Sequence, residues 1–443
     1  MTHAEFARRV AQATGKLRTL GVAPGERVGL WAGNAIEWAV IAQAVPRAGG
    51  VLVPLNTRLA DPEVAWQLGK ARVGVVIAGE ELSARMPGSA RLVPWRDWLA
   101  TAPGDPAPVE GHDDPARERA ILFTSGTTGR PKGAVLAWGN LLASARASAQ
   151  ALPLAPGDRW LASLPFFHVG GLGILVRCAL AGACVVLPRS FAAADLEAAI
   201  EGQAITHASL VEATLRRVLE ARRGRPLPAA LRAVVIGGGP VGSALLQACP
   251  QAIASYGLTE TGSMVAIEFP GEARRAGGAG RALPGVELRI APDGVIEVRG
   301  PMVMRGYLDD EAATASALRE GWLRTGDLGE LDAGGRLRVL SRREDLIVSG
   351  GENVYPAEIA QALGEHPGVA EAVVFGVPDA TWGEMPVAVV VLRGSGAPDL
   401  RAFLETRLAR YKLPRLVYVQ EIPHLANGKP DRAAVRARVL GPG

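Results

Sequence analysis

The stretch from Ile121 to Trp138, ILFTSGTTGRPKGAVLAW, brings together residue types that can hold a chain of phosphates. A mostly apolar run is followed by hydroxyls and glycines, and then by a lysine. Glycines let several backbone N–H groups turn towards one point, hydroxyls add donors, and an ammonium adds positive charge. The pattern predicts a polyphosphate-binding loop formed by Thr124, Ser125, Gly126, Thr127, Thr128, Gly129 and Lys132.

The lysine in this loop is informative because the chain uses arginine almost everywhere else. Only five of its 48 basic residues are lysines, and Lys132, Lys412 and Lys429 are three of them. A position that stays lysine favours a compact, mobile ammonium over a planar guanidinium. The spacing differs from that of the P-loop, and composition alone also fits a flexible surface turn.

Five further motifs follow the loop in order along the chain: GGGP (237–240), SYGLTETG (255–262), GWLRTGDLG (321–329), SRREDLIVSGGENVYPAEI (341–359) and NGKPDR (427–432). With all six motifs the chain resembles the adenylate-forming superfamily of acyl-CoA synthetases, peptide-synthetase adenylation domains and luciferases. The resemblance extends over nearly the whole chain. It implies an AMP-forming acid–thiol ligase that joins a carboxylic acid to coenzyme A through an acyl-adenylate, with ATP and Mg²⁺.

The resemblance also implies roles for the residues that meet the phosphates. Thr259 would bind the α-phosphate and Glu260 would hold Mg²⁺, which prefers one or two carboxylates together with phosphate oxygens. Lys429 would bridge the attacking carboxylate and the α-phosphate and would neutralise both. Without the resemblance, Glu260 could simply cap a helix, and Lys429 could be a solvated surface lysine.

The resemblance places the nucleoside on other residues. Gly237, Gly238 and Gly239 would line the adenine side. Tyr256 and Gly257 would pack against the base, although a core tyrosine is the simpler explanation for Tyr256. Asp327 would accept from the ribose hydroxyls with help from Arg342, although the same motif also fits a hairpin turn.

A second half-reaction needs a different set of groups at the same place, and the resemblance implies a rotating C-terminal domain. Asp345 would be its hinge. Ser349, Gly350 and Gly351 would then face coenzyme A. Lys412 would lie near the coenzyme A phosphates, or it could be an ordinary lysine at a helix end.

Two residues in the stretch LPFFHVGGLGILVRCALAG (164–182) indicate which carboxylic acid the enzyme would use as its substrate. His168 lies where the family carries a gate beside the acyl group. Arg177 follows on an apolar helix, and a buried charge needs a partner, either an internal carboxylate or a second carboxylate on the substrate. The second explanation resembles the 2-succinylbenzoate–CoA ligases of menaquinone synthesis. A fatty-acyl- or aryl-CoA ligase and a non-catalytic adenylate-binding protein are the alternatives.

The pattern of apolar runs predicts the elements that hold these residues. Short β-branched runs at 27–33, 74–79, 184–188 and 233–239 alternate with helical stretches, which is typical of an α/β protein with mostly parallel sheets. Hairpin patterns after Val286 predict a β-barrel-like part. After Arg343 we expect a small, mobile α+β domain, with a helix at about 356–363 and an amphipathic helix from Asp399 to Tyr411.

The expected domains are an N-terminal AMP-binding domain (1–341), a hinge (342–345) and a C-terminal lid domain carrying the lysine (346–443). A net charge of +4 over 443 residues, with no basic cluster, predicts no nucleic-acid partner. Three cysteines (Cys178, Cys184 and Cys249) and a charged N-terminus predict a cytoplasmic protein without a signal peptide or membrane insertion. The expected partner is a small carboxylic acid, and the sequence allows a homodimer.

Overall fold

A computed structural model describes most of the chain: residues 1–124, 131–238, 241–272, 274, 277–342, 345–349, 352–379, 383–394, 396, 398–408, 410–425 and 428–440. Strands and helices are numbered along the chain. Among the described residues no helix is long and apolar enough to cross a membrane.

The first sheet is built mainly from parallel strands in the N-terminal third of the chain. Its strands are β1 (Arg27–Trp31), β2 (Val51–Pro54), β3 (Val75–Ala78), β4 (Arg91–Pro94), β5 (Glu118–Thr124), β6 (Lys132–Ala137) and β16 (Gly306–Tyr307). They are ordered β16-β6-β5-β2-β1-β3-β4. Runs such as VVIA at 75–78 are buried at every position, as expected for strands covered on both faces.

The second sheet continues from parallel strands into antiparallel ones. Its strands are β7 (Arg159–Leu161), β8 (Cys184–Val186), β9 (His207–Leu210), β10 (Ala233–Ile236), β11 (Ala252–Leu258), β12 (Ser263–Ile267), β13 (Gly278–Ala282), β14 (Glu287–Ile290), β15 (Val295–Arg299), β17 (Leu318–Arg319), β18 (Trp322–Leu331) and β19 (Arg336–Arg342). The order is β14-β15-β18-β19-β13-β12-β11-β10-β9-β7-β8, and β17 pairs with β18. Strand β11 is the transition, because it is parallel to β10 and antiparallel to β12.

The third sheet contains only strands that follow Arg342. They are β20 (Ile347–Ser349), β21 (Glu352–Val354), β22 (Val369–Asp379), β23 (Gly383–Leu392) and β24 (Arg415–Val419). This sheet and its helices form the small C-terminal part of a mixed α/β fold, which confirms the predicted fold class.

Helices pack on the sheets and connect their parallel strands. The helices are α1 (His3–Thr19), α2 (Ile36–Arg47), α3 (Asp61–Lys70), α4 (Glu80–Ser83), α5 (Trp95–Ala100), α6 (Trp138–Ala151), α7 (Val169–Ala181), α8 (Ala193–Gly202), α9 (Glu212–Arg222), α10 (Ser243–Ala248), α11 (Glu311–Ala317), α12 (Pro356–Gly364), α13 (Leu400–Glu405) and α14 (Arg432–Leu440). The helix predicted at 356–363 is therefore confirmed.

The helix predicted from Asp399 to Tyr411 is wrong in length, because α13 ends at Glu405. The backbone N–H of Arg407 donates to the carbonyl of Leu404, three residues back, and shares that carbonyl with the N–H of Leu408. The hydroxyl of Thr406 donates to the carbonyl of Phe403 at 2.8 Å. These local bonds tighten the last turn, and a hydrophobic periodicity does not reveal them.

Candidate active site

The predicted phosphate loop is anchored by two neighbouring antiparallel strands. Thr124 ends β5, Lys132 begins β6, and the two residues are paired across the ladder. The Thr124 hydroxyl also donates to the Lys132 carbonyl at 3.3 Å. The loop's Ser125, Gly126, Thr127, Thr128 and Gly129 lie outside the described residues, so their contacts with phosphate stay a prediction.

Tyr307 connects Lys132 with the proposed magnesium ligand Glu260. The Lys132 ammonium lies 5.2 Å from the centre of the Tyr307 ring. The hydroxyl of the same tyrosine donates to Oε1 of Glu260 at 2.8 Å. Two residues that are far apart in sequence therefore share a contact with a third residue, and this residue belongs to none of the six motifs.

Glu260 lies in a short 3-10 turn, Thr259–Thr261, which joins strands β11 and β12. Within the described part of the chain no lysine, arginine or histidine forms an ion pair with it. No group of three or more His, Cys, Asp or Glu side chains that could enclose a metal is found among those residues either. A single carboxylate fits Mg²⁺ that takes its other ligands from phosphates and water.

Gly257 has a steric role in holding this turn. Strands β11 and β12 change register between Tyr256 and Gly257. A Cβ atom on Gly257 would lie 2.2 Å from the carbonyl oxygen of Ser263, which is far too close. The close approach of the two backbones therefore requires glycine at this position.

The adenine-side and ribose-side candidates are in direct contact. The hydroxyl of Tyr256 donates to Oδ2 of Asp327 at 2.7 Å, and both side chains are buried. Asp327 on β18 is also paired with Arg342 on β19 through the backbone ladder. Tyr256, Asp327 and the Arg342 backbone thus form one group, and its contact with a nucleoside stays a prediction.

Lys429 reaches the same region from the C-terminal part of the chain. A Cβ atom on Gly238, just after β10, would lie 2.8 Å from Cε of Lys429. Gly238 has a φ of +88°, so it is also the residue type that this backbone conformation favours. The backbone of Lys429 is held by a 2.7 Å bond from the Leu425 N–H. Gly237 belongs to the same turn, and Gly239 lies outside the described residues.

His168 lies at the beginning of α7 and is neutral at physiological pH. Burial, and then the positive charges of Lys429 and Arg58, lower the pKa of His168 to about 4. Its ring meets Phe167 edge-on at 4.7 Å. Its buried Nε2 has no hydrogen-bond partner in the structure. The dependence on Lys429 places this histidine and the lysine in one electrostatic neighbourhood.

Arg177 is almost completely buried, with 2% of its surface exposed. Its Nε donates to the Gly173 carbonyl at 3.0 Å and its Nη2 to the Ser263 hydroxyl at 3.1 Å. Nη1 is buried and has no hydrogen-bond partner. Burial lowers the pKa of Arg177 to about 10, so the group is still charged at neutral pH.

The internal carboxylate that could have explained Arg177 is not found within the described residues. Instead, the guanidinium lies 4.7 Å from the centre of the Trp160 ring, whose other neighbour is the stacked ring of His207 at 5.0 Å. Burial lowers the pKa of His207 to about 4, so this ring adds no charge. Sequence spacing could not have found Trp160 or Ser263, because they lie on strands β7 and β12, whereas Arg177 lies on helix α7.

The residues predicted to meet coenzyme A lie around the third sheet. Ser349 is buried and paired with Gly383, while Gly350 and Gly351 lie outside the described residues. The Lys412 ammonium contacts both carboxylate oxygens of Glu358 at 2.8 Å. Asp345, the expected hinge, pairs with Arg432 at 3.4 Å. A role of Lys412 towards coenzyme A stays a prediction.

This fold and the gathered site residues define an adenylate-forming enzyme, and the chain belongs to the AMP-binding enzyme family. The family model matches residues 1–308. A second model, the AMP-binding enzyme C-terminal domain, matches residues 358–429. The two matches cover the parts of the chain that hold Glu260 and Lys429.

Within this family, the chain is similar to ligases and synthetases that act on 2-succinylbenzoate. The chain is 37% identical, over 99% of its length and 94% of the relative's, to the 2-succinylbenzoate–CoA ligase of Listeria monocytogenes serotype 4b (strain F2365). It is similar to o-succinylbenzoate CoA synthetase from Bacillus subtilis in complex with its acyl-adenylate intermediate, with a TM-score of 0.89 and 33% identity over 98% of this chain and 92% of that one. A structure of the same Bacillus subtilis enzyme with ATP and magnesium also has a TM-score of 0.89 and 33% identity, over 98% of this chain and 94% of that one.

Proposed function

We propose that this chain is an ATP-dependent 2-succinylbenzoate–CoA ligase. In the first step the succinyl carboxylate attacks the α-phosphate of ATP, which gives the acyl-adenylate and releases pyrophosphate. In the second step the thiol of coenzyme A attacks the acyl carbon, which gives the thioester and releases AMP. The observation that carries the choice of acid is the buried guanidinium of Arg177, which retains a donor without a partner.

The aromatic carboxylate of the substrate is the group that matches Arg177. A buried cation without a counter-ion is costly, and a carboxylate from the ligand removes that cost on binding. Ser263 and Trp160 hold the guanidinium from two sides, which keeps the remaining donor in one position. A monocarboxylate supplies no counter-ion to Arg177, so a fatty acid would bind without this gain.

The succinyl carboxylate would be activated beside Lys429, whose positive charge also acts on His168. Lys429 neutralises the two anions as they approach, which lowers the barrier because charge builds up at the α-phosphate. His168 is neutral and adds no competing charge. When bound, Mg²⁺ supplies further charge compensation at the phosphates. Glu260 would hold it, Thr259 would bind the α-phosphate, and Lys132 would bind the outer phosphates.

The second half-reaction uses a rotation of the C-terminal lid (346–443) on the N-terminal domain (1–341) at a hinge (342–345). The division is supported by the third sheet, which contains only strands that follow Arg342. Rotation at Asp345 would withdraw Lys429 and turn the segment after Ser349 towards coenzyme A. Lys412 would have to exchange Glu358 for a coenzyme A phosphate. We also propose that the protein is cytoplasmic and forms a homodimer.

The test compares thioester formation with 2-succinylbenzoate, octanoate and benzoate in the wild type and in Arg177→Met. We expect kcat/KM for 2-succinylbenzoate to fall by about 30-fold or more, because truncating one side of a buried charged pair costs about 2–5 kcal/mol. Rates with octanoate should change little. Equal losses with all three acids would contradict the role of Arg177.

The matched control is Arg222→Met. Arg222 is as buried as Arg177, but it pairs with Glu197 and Glu201, both at 3.0 Å. Its removal should leave the ranking of the acids unchanged. A wild type that prefers octanoate would identify a fatty-acyl-CoA ligase, and preference for benzoate an aryl-CoA ligase. If no acid supports exchange of pyrophosphate into ATP, the chain is a non-catalytic adenylate-binding protein.

A further inference from the structure

A short segment around Tyr307 links the two halves of the proposed phosphate site. It includes β16, which runs along the edge of the first sheet and pairs with β6, the strand that begins at Lys132. The N–H of Leu308 donates to the Gly133 carbonyl at 2.8 Å. On its other side, the N–H of Met304 donates to the carbonyl of Glu260, also at 2.8 Å. The segment is therefore hydrogen-bonded both to the phosphate-loop strand and to the turn that carries Glu260.

The side chain of Tyr307 also contacts both parts of the proposed site, through the charged groups of Lys132 and Glu260. Its ring face lies 5.2 Å from the Lys132 ammonium, which is a cation–π arrangement. Its hydroxyl donates to Oε1 of Glu260 at 2.8 Å. A donor on one oxygen of a carboxylate restricts its rotation and directs the lone pairs that remain. One side chain thus contacts both the carboxylate of Glu260 and the ammonium of Lys132, and the phosphates of ATP would lie near both groups.

We propose that Tyr307 is a positioning residue that orients Glu260 for the metal ion bound with ATP. The inference rests on the proposed function, because it requires that Glu260 contacts the metal. Tyr307 does not contact the reacting atoms in this proposal. Its hydroxyl orders the carboxylate before the metal arrives, so that less conformational freedom is lost when the ion binds.

The local backbone supports a dedicated position for this tyrosine. Its N–H donates to the hydroxyl of Thr314 at 2.8 Å. The preceding Gly306 has a φ of +153°, and a Cβ atom there would lie 2.7 Å from the methyl carbon of Thr314. Glycine before Tyr307 therefore allows the strand to pass closely against Thr314 on α11. These contacts fix the Cα of Tyr307 between Lys132 and Glu260.

The test measures metal binding directly. Mn²⁺, a paramagnetic substitute for Mg²⁺, is titrated into the enzyme saturated with a non-hydrolysable ATP analogue, and free Mn²⁺ is followed by electron paramagnetic resonance. In Tyr307→Phe the ring stays and only the hydroxyl is lost. We expect Mn²⁺ affinity to fall by about tenfold, the usual effect of losing a partner that orients a metal ligand, with little change in the thermal midpoint of unfolding.

Two controls make the result specific. Tyr418→Phe removes a hydroxyl from an exposed tyrosine on β24, and its Mn²⁺ affinity should equal that of the wild type. Tyr307→Leu removes the ring as well and should also weaken binding of the ATP analogue, because Lys132 loses its aromatic support. If Tyr307→Phe binds Mn²⁺ as the wild type does, or loses only thermal stability, the positioning role is wrong.

Glu260→Gln separates this inference from the proposed function. A large loss of Mn²⁺ affinity in Glu260→Gln, together with a wild-type affinity in Tyr307→Phe, would overturn only the role of Tyr307. An unchanged affinity in Glu260→Gln would overturn the metal assignment of Glu260 itself. Parallel losses in both variants would support the two assignments together.

Discussion

The side chain of Lys429 lies against Gly238, so that a methyl group added to the glycine would come within 2.8 Å of the lysine Cε. The lysine comes from the C-terminal part of the chain and the glycine follows β10 of the second sheet. Their contact therefore joins two parts of the chain that are about 190 residues apart in sequence. The role of Lys429 in the first half-reaction stays a prediction, which the following experiments test.

The first prediction concerns Lys429→Ala. Exchange of pyrophosphate into ATP should fall by about 10²–10³-fold, the usual effect of removing one group that stabilises transition-state charge. Thioester formation from supplied acyl-adenylate should stay within about twofold of the wild type, because Lys429 would have moved away by then. Lys70→Ala removes another lysine, one that donates to the Asp309 carbonyl, and should affect neither step. Equal losses in both half-reactions would contradict the division of roles.

The second prediction uses the contact itself. Gly238→Ala places a methyl group against Lys429 and strains a backbone with a φ of +88°. Adenylation should fall by about tenfold or more, because either effect of about 1–3 kcal/mol displaces the lysine or the turn.

The double variant Gly238→Ala/Lys429→Ala separates these two causes. If displacement of the lysine dominates, adding Gly238→Ala to Lys429→Ala should reduce the rate much less than it does in the wild type. A fully additive effect would show that the strain of the turn, and not its contact with Lys429, is responsible.

The third prediction concerns stability. Arg177→Met should unfold at the same temperature as the wild type or at a higher one, because replacing an unpaired buried charge with an apolar side chain removes a desolvation cost. Arg222→Met should instead lower the free energy of unfolding by about 1–3 kcal/mol, because Glu197 and Glu201 each lose an ion pair, although Glu197 keeps its contact with Arg225 at 2.8 Å. Calorimetry of both variants tests the difference. A strongly destabilised Arg177→Met would indicate that this arginine stabilises the fold rather than binding the substrate.

The fourth prediction concerns pH. Burial lowers the pKa of His207 from its ordinary value of 6.5 to about 4, so the unfolded chain binds a proton that the folded chain does not bind between these values. Stability should therefore be fully present above pH 6.5 and should decrease as the pH falls towards 4, by about 2 kcal/mol per such histidine at pH 5. His168 should act in the same direction.

The measurement is the free energy of unfolding at pH 5 and pH 7. In His207→Gln the difference between the two values should shrink by about 2 kcal/mol. His3→Gln changes a histidine on the exposed first turn of α1 and serves as the control. An unchanged pH difference in His207→Gln would contradict the assignment.

Much of the fold could be predicted because the relevant forces are local. The β-branched runs at 75–78 and 233–236 become strands that are buried at every position, as their composition indicates. The end of α13 could not be predicted, because it depends on hydrogen bonds of Thr406 and Arg407 that compete with helix continuation. The presence of an element follows from periodicity, whereas its last turn depends on individual side chains.

In the candidate site, too, some residues could be predicted from the sequence and others could not. Motif residues such as Glu260 and Asp327 were identified from the sequence because their order along the chain matches a family. Tyr307, Trp160 and Ser263 were not, because none of them is recognisable from its local neighbours. Each contributes through a contact with a residue on another element of the fold, such as the 2.8 Å bond from Tyr307 on β16 to Glu260 in the 3-10 turn.

The sequence by itself determined the residue types that can do the chemistry: glycines and hydroxyls for phosphates, one carboxylate for a metal and a late lysine for the attacking acid. These follow from short segments whose chemistry is local. Only the tertiary structure decided that Arg177 has no internal carboxylate among the described residues and that Lys429 lies on Gly238. Such facts depend on distances between segments, and distances between segments are set by how the sheets and helices pack.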